Sequence, residues 1–398
     1  MDDTLRTILV VDDEIAVTNF LLVFLMQTGR YDATVLNDAT EVPALLDQQT
    51  FDVILLDMDM PGLSGMDILR LLRERRIPSP VVILTGVNDV DLAVRAMKLG
   101  AFDYLIKPVE DSVLLASLDA AVTLGAVQES LRQLPAHLRR EDLGNAMAFE
   151  QLVAVGQPMV QLLHHAERLA GSDLAVFLHG EPGTGRASLA RSIHSASQRH
   201  QAPFTSLDLA SHEPRELSAF LFGRVAGAEG DSERVGALSA AAGGTLYLEN
   251  IDALPRLDQE RLRLVLQSGA FYRDNSIDVH DCRVRFIVSS TVDLRGDAYQ
   301  EAFSRDLLYH LAFNTLVLPP LRERPEDLPA LAEHFLRLEN DRQGKGILGF
   351  DDGALARLVQ EPFPDNIRGL AAVIHAAVSS EQSGMISHET LEGALRGR

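Results

Sequence analysis

The stretch Val53-Ile54-Leu55-Leu56-Asp57-Met58-Asp59-Met60-Pro61-Gly62 runs through four apolar residues, stops on an acid and turns at Pro61-Gly62. A short apolar run bounded by turn residues reads as a strand buried on both faces, which is the signature of a parallel sheet. Working outward, similar runs occupy residues 7–11, 33–36, 81–84 and 104–106, and segments such as 66–75 and 90–99 have helical spacing. Five strands alternating with five helices predict a doubly wound parallel sheet. Ligands of such sheets lie at the carboxyl ends of the strands. Asp12 and Asp13 follow the first run, Asp57 the third, Thr85 the fourth and Lys107 the fifth, so all five are predicted to meet in one crevice.

That crevice has a definite chemistry. Clustered carboxylates repel unless a hard cation joins them, and Mg²⁺ favours carboxylate and phosphate oxygens. A carboxylate also serves as a covalent phosphoryl acceptor. Lys107 offers a point charge for phosphoryl oxygens and Thr85 a hydroxyl. Val11-Asp12-Asp13-Glu14, Leu56-Asp57-Met58-Asp59-Met60-Pro61-Gly62, Leu84-Thr85-Gly86 and Asp103-Tyr104-Leu105-Ile106-Lys107-Pro108 stand in one order. Together they resemble the receiver domain of two-component response regulators. The resemblance implies a flavodoxin-like fold over residues 1–124 with Asp57 as phosphoacceptor. It also implies Mg²⁺ held by Asp12, Asp13, Asp57 and the Asp59 carbonyl, a Thr85–Tyr104 switch pair, and a cis Lys107–Pro108 bond.

A helix is predicted over residues 112–133, stopped by Pro135, with a linker helix assigned to 125–147. Leu124, Val127, Leu131 and Leu134 have a spacing that suits either a short dimer seam or packing on the helix's own domain. A second α/β domain is assigned to residues 148–325, with strands at 174–178, 244–248 and 284–289, and a helical region to 326–398.

Gly180-Glu181-Pro182-Gly183-Thr184-Gly185-Arg186-Ala187 follows the first of these strands and opens a helix. This is the placement of a loop whose backbone amides cradle phosphates. Downstream lie Gly243-Gly244-Thr245-Leu246-Tyr247-Leu248-Glu249-Asn250, Leu318-Pro319-Pro320-Leu321-Arg322-Glu323-Arg324-Pro325 and Phe363-Pro364-Asp365-Asn366-Ile367-Arg368. In that order they resemble the AAA+ domain of the NtrC family, the ATP-driven activators of sigma-54 RNA polymerase, with its helical lid. Carried over, Gly180, Glu181, Gly183, Thr184, Gly185, Arg186, Glu249 and Arg368 border a site for ATP or another nucleotide.

Departures from the family pattern are numerous. Its loop lysine reads Arg186, its Asp-Glu pair reads Glu249-Asn250, its restraining asparagine reads Asp208 and its sensor asparagine reads Val292. The two arginine-finger positions read Ser304 and His310, with Arg305 one place off register. The polymerase-contacting loop Gly-Ala-Phe-Thr-Gly-Ala is replaced by residues 224–234, without its phenylalanine and threonine. After about residue 395 the chain stops where the family usually continues into a helix-turn-helix. An amide cannot take a proton, and arginine is bulkier and forked where lysine is a point charge. ATP hydrolysis is therefore predicted to be lost, and bound nucleotide or an empty pocket are both consistent with the residues.

Bulk properties fit this picture. The formal net charge of −21 disfavours direct DNA binding, and the acidic start is unlike a signal peptide. No apolar run is read as long enough to cross a membrane, so a cytoplasmic location is expected. The single cysteine, Cys282, excludes an internal disulfide and reads as a small buried residue. His164, His165 and His179 lack ligand spacing and read as structural. The resemblance implies a sensor histidine kinase as donor, a dimer or higher homo-oligomer, and a partner that is another NtrC-type activator or the RNA polymerase machinery. The sequence-level reading is a phosphorylation-controlled regulator acting through protein contacts. The alternatives are an active sigma-54 activator working without its own DNA-binding domain and a sensor of ATP or cyclic di-GMP.

Overall fold

The computed structural model describes residues 5–86, 90–132, 135, 137–226, 232–294, 302–381 and 384–397. The chain divides into two units, the first built on Met1–Leu134 and the second on the residues from Pro135 onward. In the first, β1 (Arg6–Val11), α1 (Ile15–Gln27), β2 (Tyr31–Leu36), α2 (Val42–Leu46), β3 (Val53–Leu56), α3 (Gly65–Glu74), β4 (Val81–Thr85), α4 (Val90–Lys98), β5 (Asp103–Ile106) and α5 (Asp111–Arg132) follow one another. The strands pair in parallel in the order β2-β1-β3-β4-β5. The predicted doubly wound sheet is therefore present.

Its strands are apolar throughout because both faces are covered. Leu9, Val11, Ile54, Leu56 and Ile83 share a core with Ile68, Leu69 and Leu72 of α3. Their neighbours Ile8, Val10, Val53, Leu55 and Val82 share the opposite core with Leu21 and Leu25 of α1 and with α5. Each fully buried aliphatic side chain contributes roughly 1.5–3 kcal/mol over exposure, so two such layers fix the register of the central strands.

Helix α5 carries Leu114, Leu118 and Ala121 into that second core. Leu124 is also buried, and a Cβ on Gly125 would stand 3.3 Å from Pro80 Cδ. Packing on its own unit thus accounts for the first seam residue, while Leu134 lies outside the described residues. Among the described residues α5 is long and apolar enough to cross a membrane by length and composition, which corrects the reading that no run approaches that length.

The expected linker helix over 125–147 is also corrected. The helix ends at Arg132, ahead of Pro135, which lacks an N–H and disfavours helical backbone before it. Residues 138–145 instead join the second unit. Gln157 Nε2 donates to the Leu138 carbonyl at 3.0 Å, and His164 Nε2 lies 2.9 Å from the Arg139 carbonyl. The Asn145 N–H reaches Glu167 Oε1 at 2.6 Å. His164 is therefore a structural histidine, as predicted.

The second unit continues with α6 (Gln157–Ala170), β6 (Val176–His179), α7 (Arg186–Ser195), β7 (Phe204–Asp208), α8 (Pro214–Leu221), α9 (Ala237–Ala240), β8 (Thr245–Glu249) and α10 (Arg256–Ser268). Then come the hairpin β9 (Ala270–Tyr272) and β10 (Val279–Asp281), β11 (Arg285–Ser290), α11 (Arg305–Ala312) and β12 (Thr315–Val317). A parallel sheet runs β12-β6-β11-β8-β7. Its three inner strands were predicted. The edge strands β7 and β12 were not, because neither carries an apolar run of four or more residues.

The lid comprises α12 (Leu328–Gln343), β13 (Ile347–Phe350), α13 (Asp352–Gln360), α14 (Asn366–Ser380), β14 (Gly384–Ile386) and α15 (His388–Arg396) around its own core. The expectation of a purely helical region is corrected by the parallel pair β13–β14. Cys282 is partly buried, and loss of solvent pushes its thiol up to about 11.

Behind Asp57, α3 begins with Ser64 and Asp67 capping each other, and the following Gly65 lies against the loop of Asp57. A Cβ on Gly65 would stand 2.4 Å from the Asp57 carbonyl oxygen. Gly65→Ala should therefore destabilise the first unit by roughly 1–3 kcal/mol, as overpacking does. Thermal or urea unfolding of the full chain checks this; an unchanged first transition would contradict the close approach.

Candidate functional site

The first site forms where β1, β3, β4 and β5 end. Asp12 and Asp57 are buried, and Lys107 from the end of β5 lies between them. Lys107 Nζ donates to Asp12 Oδ2 at 2.6 Å and to Asp57 Oδ1 at 3.0 Å. The remaining oxygens are engaged by backbone: the Glu14 N–H reaches Asp12 Oδ1 at 2.9 Å and the Asp59 N–H reaches Asp57 Oδ2 at 2.8 Å. Asn37, which sequence reasoning did not single out, donates to the Asp12 carbonyl at 2.8 Å and steadies that loop.

Asp13 and Asp59 are exposed at the rim. Thr85 is fully buried at the end of β4, and its carbonyl accepts from the Lys107 N–H at 2.8 Å. Tyr104 is half-buried against the α3–α4 side of the sheet. The Lys107–Pro108 bond is cis, as the sequence implied. The oxygen donors suit Mg²⁺, although among the described residues no three His, Cys, Asp or Glu side chains are grouped closely enough to hold a metal ion.

Burial raises the Asp57 carboxyl above its ordinary value, and the Lys107 ammonium only partly offsets this. Burial works to lower the Lys107 value, but its hydrogen bonds to Asp12 and Asp57 outweigh that and leave it raised. The result is two desolvated carboxylates bridged by one fixed cation, a cluster that keeps a net negative charge.

The second site lies between the parallel sheet and the lid, around a cavity of about 510 Å³. Of the residues predicted from the phosphate loop, Gly183, Thr184, Gly185, Arg186, Glu249 and Arg368 line it, whereas Gly180 and Glu181 do not. Gly183 has φ +77°, and a Cβ there would stand 2.2 Å from the Asp365 carbonyl, so the loop abuts the lid directly. The Ile367 N–H closes that junction on the Gly183 carbonyl at 3.0 Å.

Glu181 turns to the lid side. It accepts two hydrogen bonds from Arg322 at 2.7 and 2.8 Å and one from Asn366 at 3.1 Å. These partners, Arg322 first, hold its carboxyl down to about 2. The Thr184 hydroxyl is engaged by the Glu181 carbonyl at 2.8 Å. Leu152, Met159, Leu331, Phe335 and Ile367 give the cavity an apolar wall.

Three features of this site escaped sequence reasoning. Arg324 is 1% exposed, donates to the Thr184 carbonyl at 3.2 Å and lines the cavity. Its phrase had been read only as a family match, so the arginine's place was not legible. Ala187 stands where a phosphate loop carries the hydroxyl that reaches Mg²⁺. The Asn250 amide donates to Asp208 Oδ1 at 2.8 Å, so amide and carboxylate exchange places between β7 and β8. At the expected finger position, Ser304 is buried. It caps α11 through the Leu307 N–H and donates to Glu260 at 2.9 Å. Residues 227–231 of the expected polymerase loop lie outside the described residues.

Family models match in the same order: a response regulator receiver domain over residues 8–119, a sigma-54 interaction domain over 152–317 and an AAA+ ATPase lid domain over 322–398. The chain is 33% identical over 393 residues to the transcriptional regulatory protein ZraR of Klebsiella oxytoca, covering 98% of this chain and 86% of that one. It is 31% identical over 394 residues to the regulatory protein AtoC of Escherichia coli, covering 98% and 84%. This chain belongs to the sigma-54 activator family of response regulators.

Among solved structures, this sigma-54-type regulator is similar to NtrX from Brucella abortus in complex with ADP and in complex with ATP. Each pairing has 26% identity, a TM-score of 0.56, and coverage of 97% of this chain and 84% of the other. Response regulators of this kind partner with sensor kinases and with sigma-54 RNA polymerase.

A carboxyl raised by burial costs stability while it is ionised. That cost is complete above the raised value and disappears as pH falls to the ordinary aspartate value. Asp57→Asn should accordingly stabilise the first unit at pH 7, with the gain shrinking toward pH 4. Unfolding measured across that pH range checks it; a variant destabilised at neutral pH would contradict the burial-dominated reading.

Proposed function

We propose that this chain is a cytoplasmic response regulator phosphorylated on Asp57 whose second domain binds nucleotide without hydrolysing it and delivers its output by protein contact. The observation that supports the reading is Asn250, an amide at the position where the family pattern has a carboxylate, with its Nδ2 tied to Asp208 Oδ1 at 2.8 Å.

In the receiver step, an Asp57 carboxylate oxygen attacks the phosphorus of a phosphohistidine or small phosphodonor. The new O–P bond forms as the bond to the leaving group breaks. Lys107 releases part of its hold on Asp57 to meet the incoming phosphoryl oxygens, and the Thr85 hydroxyl donates to one of them. Asp12, Asp13, Asp57 and the Asp59 carbonyl would hold Mg²⁺, which supplies neutralisation of phosphoryl charge. Thr85 and Tyr104 would report the new charge to the face built from α4, β5 and α5.

Magnitudes support loss of hydrolysis in the second domain. A positioned base contributes about 10²–10⁴-fold and an arginine finger about 10³–10⁵-fold, and the two losses do not simply multiply. Either alone brings turnover near background. Ser304 cannot supply a finger from a buried helix cap. The complexes of NtrX with ADP and ATP support nucleotide as the class of ligand. The net charge of −21 favours partners other than DNA. A sensor histidine kinase would charge Asp57, and another activator or the polymerase machinery would read the output, with the chain acting as a dimer or larger homo-oligomer.

Purified full chain, with or without acetyl phosphate, should show ATP turnover indistinguishable from an Arg186→Ala control in a coupled phosphate-release assay. Sustained turnover abolished by Arg186→Ala would overturn the proposal and favour an active ATPase.

A further inference from the structure

Resting on the nucleotide reading of the second site, we infer that this pocket takes its nucleotide without a divalent cation, with Arg186 occupying the electrostatic place of the metal. Three observations about the cavity wall lead there.

The first is the set of oxygen donors. Mg²⁺ requires near-octahedral oxygen ligands and is usually anchored by one or two carboxylates besides the phosphates. Ala187 offers no oxygen, and Asn250 is neutral with its amide tied to Asp208 at 2.8 Å. Glu249 is the one carboxylate lining the cavity among the described residues, and Arg186 Nη2 stands 3.6 Å from its Oε1. The carboxylate a metal would need already has a cation beside it. The residues present do not fit Mg²⁺.

The second is the guanidinium itself. Arg186 is only 7% exposed, begins α7 and lines the cavity, and its Nη1 has no hydrogen-bond partner among the described residues. A buried charged donor left unpaired costs free energy that an anion at the helix N-terminus removes. Its planar fork suits two phosphate oxygens at once, which a lysine in the same place cannot match.

The third is the balance of charge. Among the described residues Arg186, Arg324 and Arg368 share the lining with one carboxylate, Glu249, and with Arg324 paired to the buried Asp327 at 3.7 Å the wall still keeps a net positive charge. Burial lowers the His334 value, with Arg337 adding to the effect, which favours the neutral form of that lining imidazole. A diphosphate tail entering this wall meets guanidinium where a metal-dependent site presents carboxylate.

Isothermal titration of the full chain with ADP, once with magnesium in cell and syringe and once with EDTA in both, tests the inference. The affinities should agree within about threefold. Glu249→Gln, which releases Arg186 toward the phosphates, should tighten ADP binding by about threefold or more in both buffers. Arg186→Ala should lose binding in both. ADP heat seen only with magnesium, or weakened by Glu249→Gln in magnesium, would overturn the inference and leave the nucleotide reading intact. Absence of heat in either buffer would overturn the nucleotide reading as well.

Discussion

In a parallel sheet every strand runs the same way, so the residues that follow neighbouring strands are delivered to a single edge. That constraint organises this chain twice. In the first unit it brings Asp12, Asp57, Thr85 and Lys107 together from the ends of four strands, although 95 positions separate Asp12 from Lys107. In the second it brings the loop after β6 and the end of β8 to the same side, where Arg186 meets Glu249. The apolar layers on both faces of the first sheet keep that edge in register, because a slip of one residue would turn its core residues outward.

The two edges use opposite electrostatic solutions. In the receiver, acidic residues predominate and one cation, Lys107, bridges two buried carboxylates. Such a bridge is a poor source of stability and a good source of pre-organisation, since desolvated charges fix one another's positions. In the AAA+ domain, guanidinium predominates and, among the described residues, a single carboxylate lines the cavity. On the proposed reading the first edge gains a phosphoryl group and the second holds phosphate that is already attached. The lid is tied to the phosphate loop through Glu181, Asn366 and Ile367.

Much of this was legible in the residues. The apolar runs ending on Asp12, Asp57, Thr85 and Lys107 locate the first site because a doubly wound sheet has few alternatives. The phosphate loop was legible for the same reason, as a glycine-rich turn between a strand and a helix. Short edge strands such as β12 were not, since three residues are too few to carry a periodic signal. Nor was the segment after Pro135, whose attachment to α6 relies on backbone carbonyls that composition does not encode. The contact of Asn250 with Asp208 required the pairing of β7 with β8, which places two distant substitutions side by side. Arg324 was hidden for a related reason: a buried arginine is defined by what surrounds it.

The account stands on Asp57 as the residue that receives phosphate. Treating the full chain with acetyl phosphate and magnesium, then mapping the modified residue by borohydride trapping and peptide mass spectrometry, tests this directly. A single adduct on Asp57, absent from the Asp57→Asn variant, is the predicted result. An unmodified chain, or an adduct that persists in Asp57→Asn, would contradict the account.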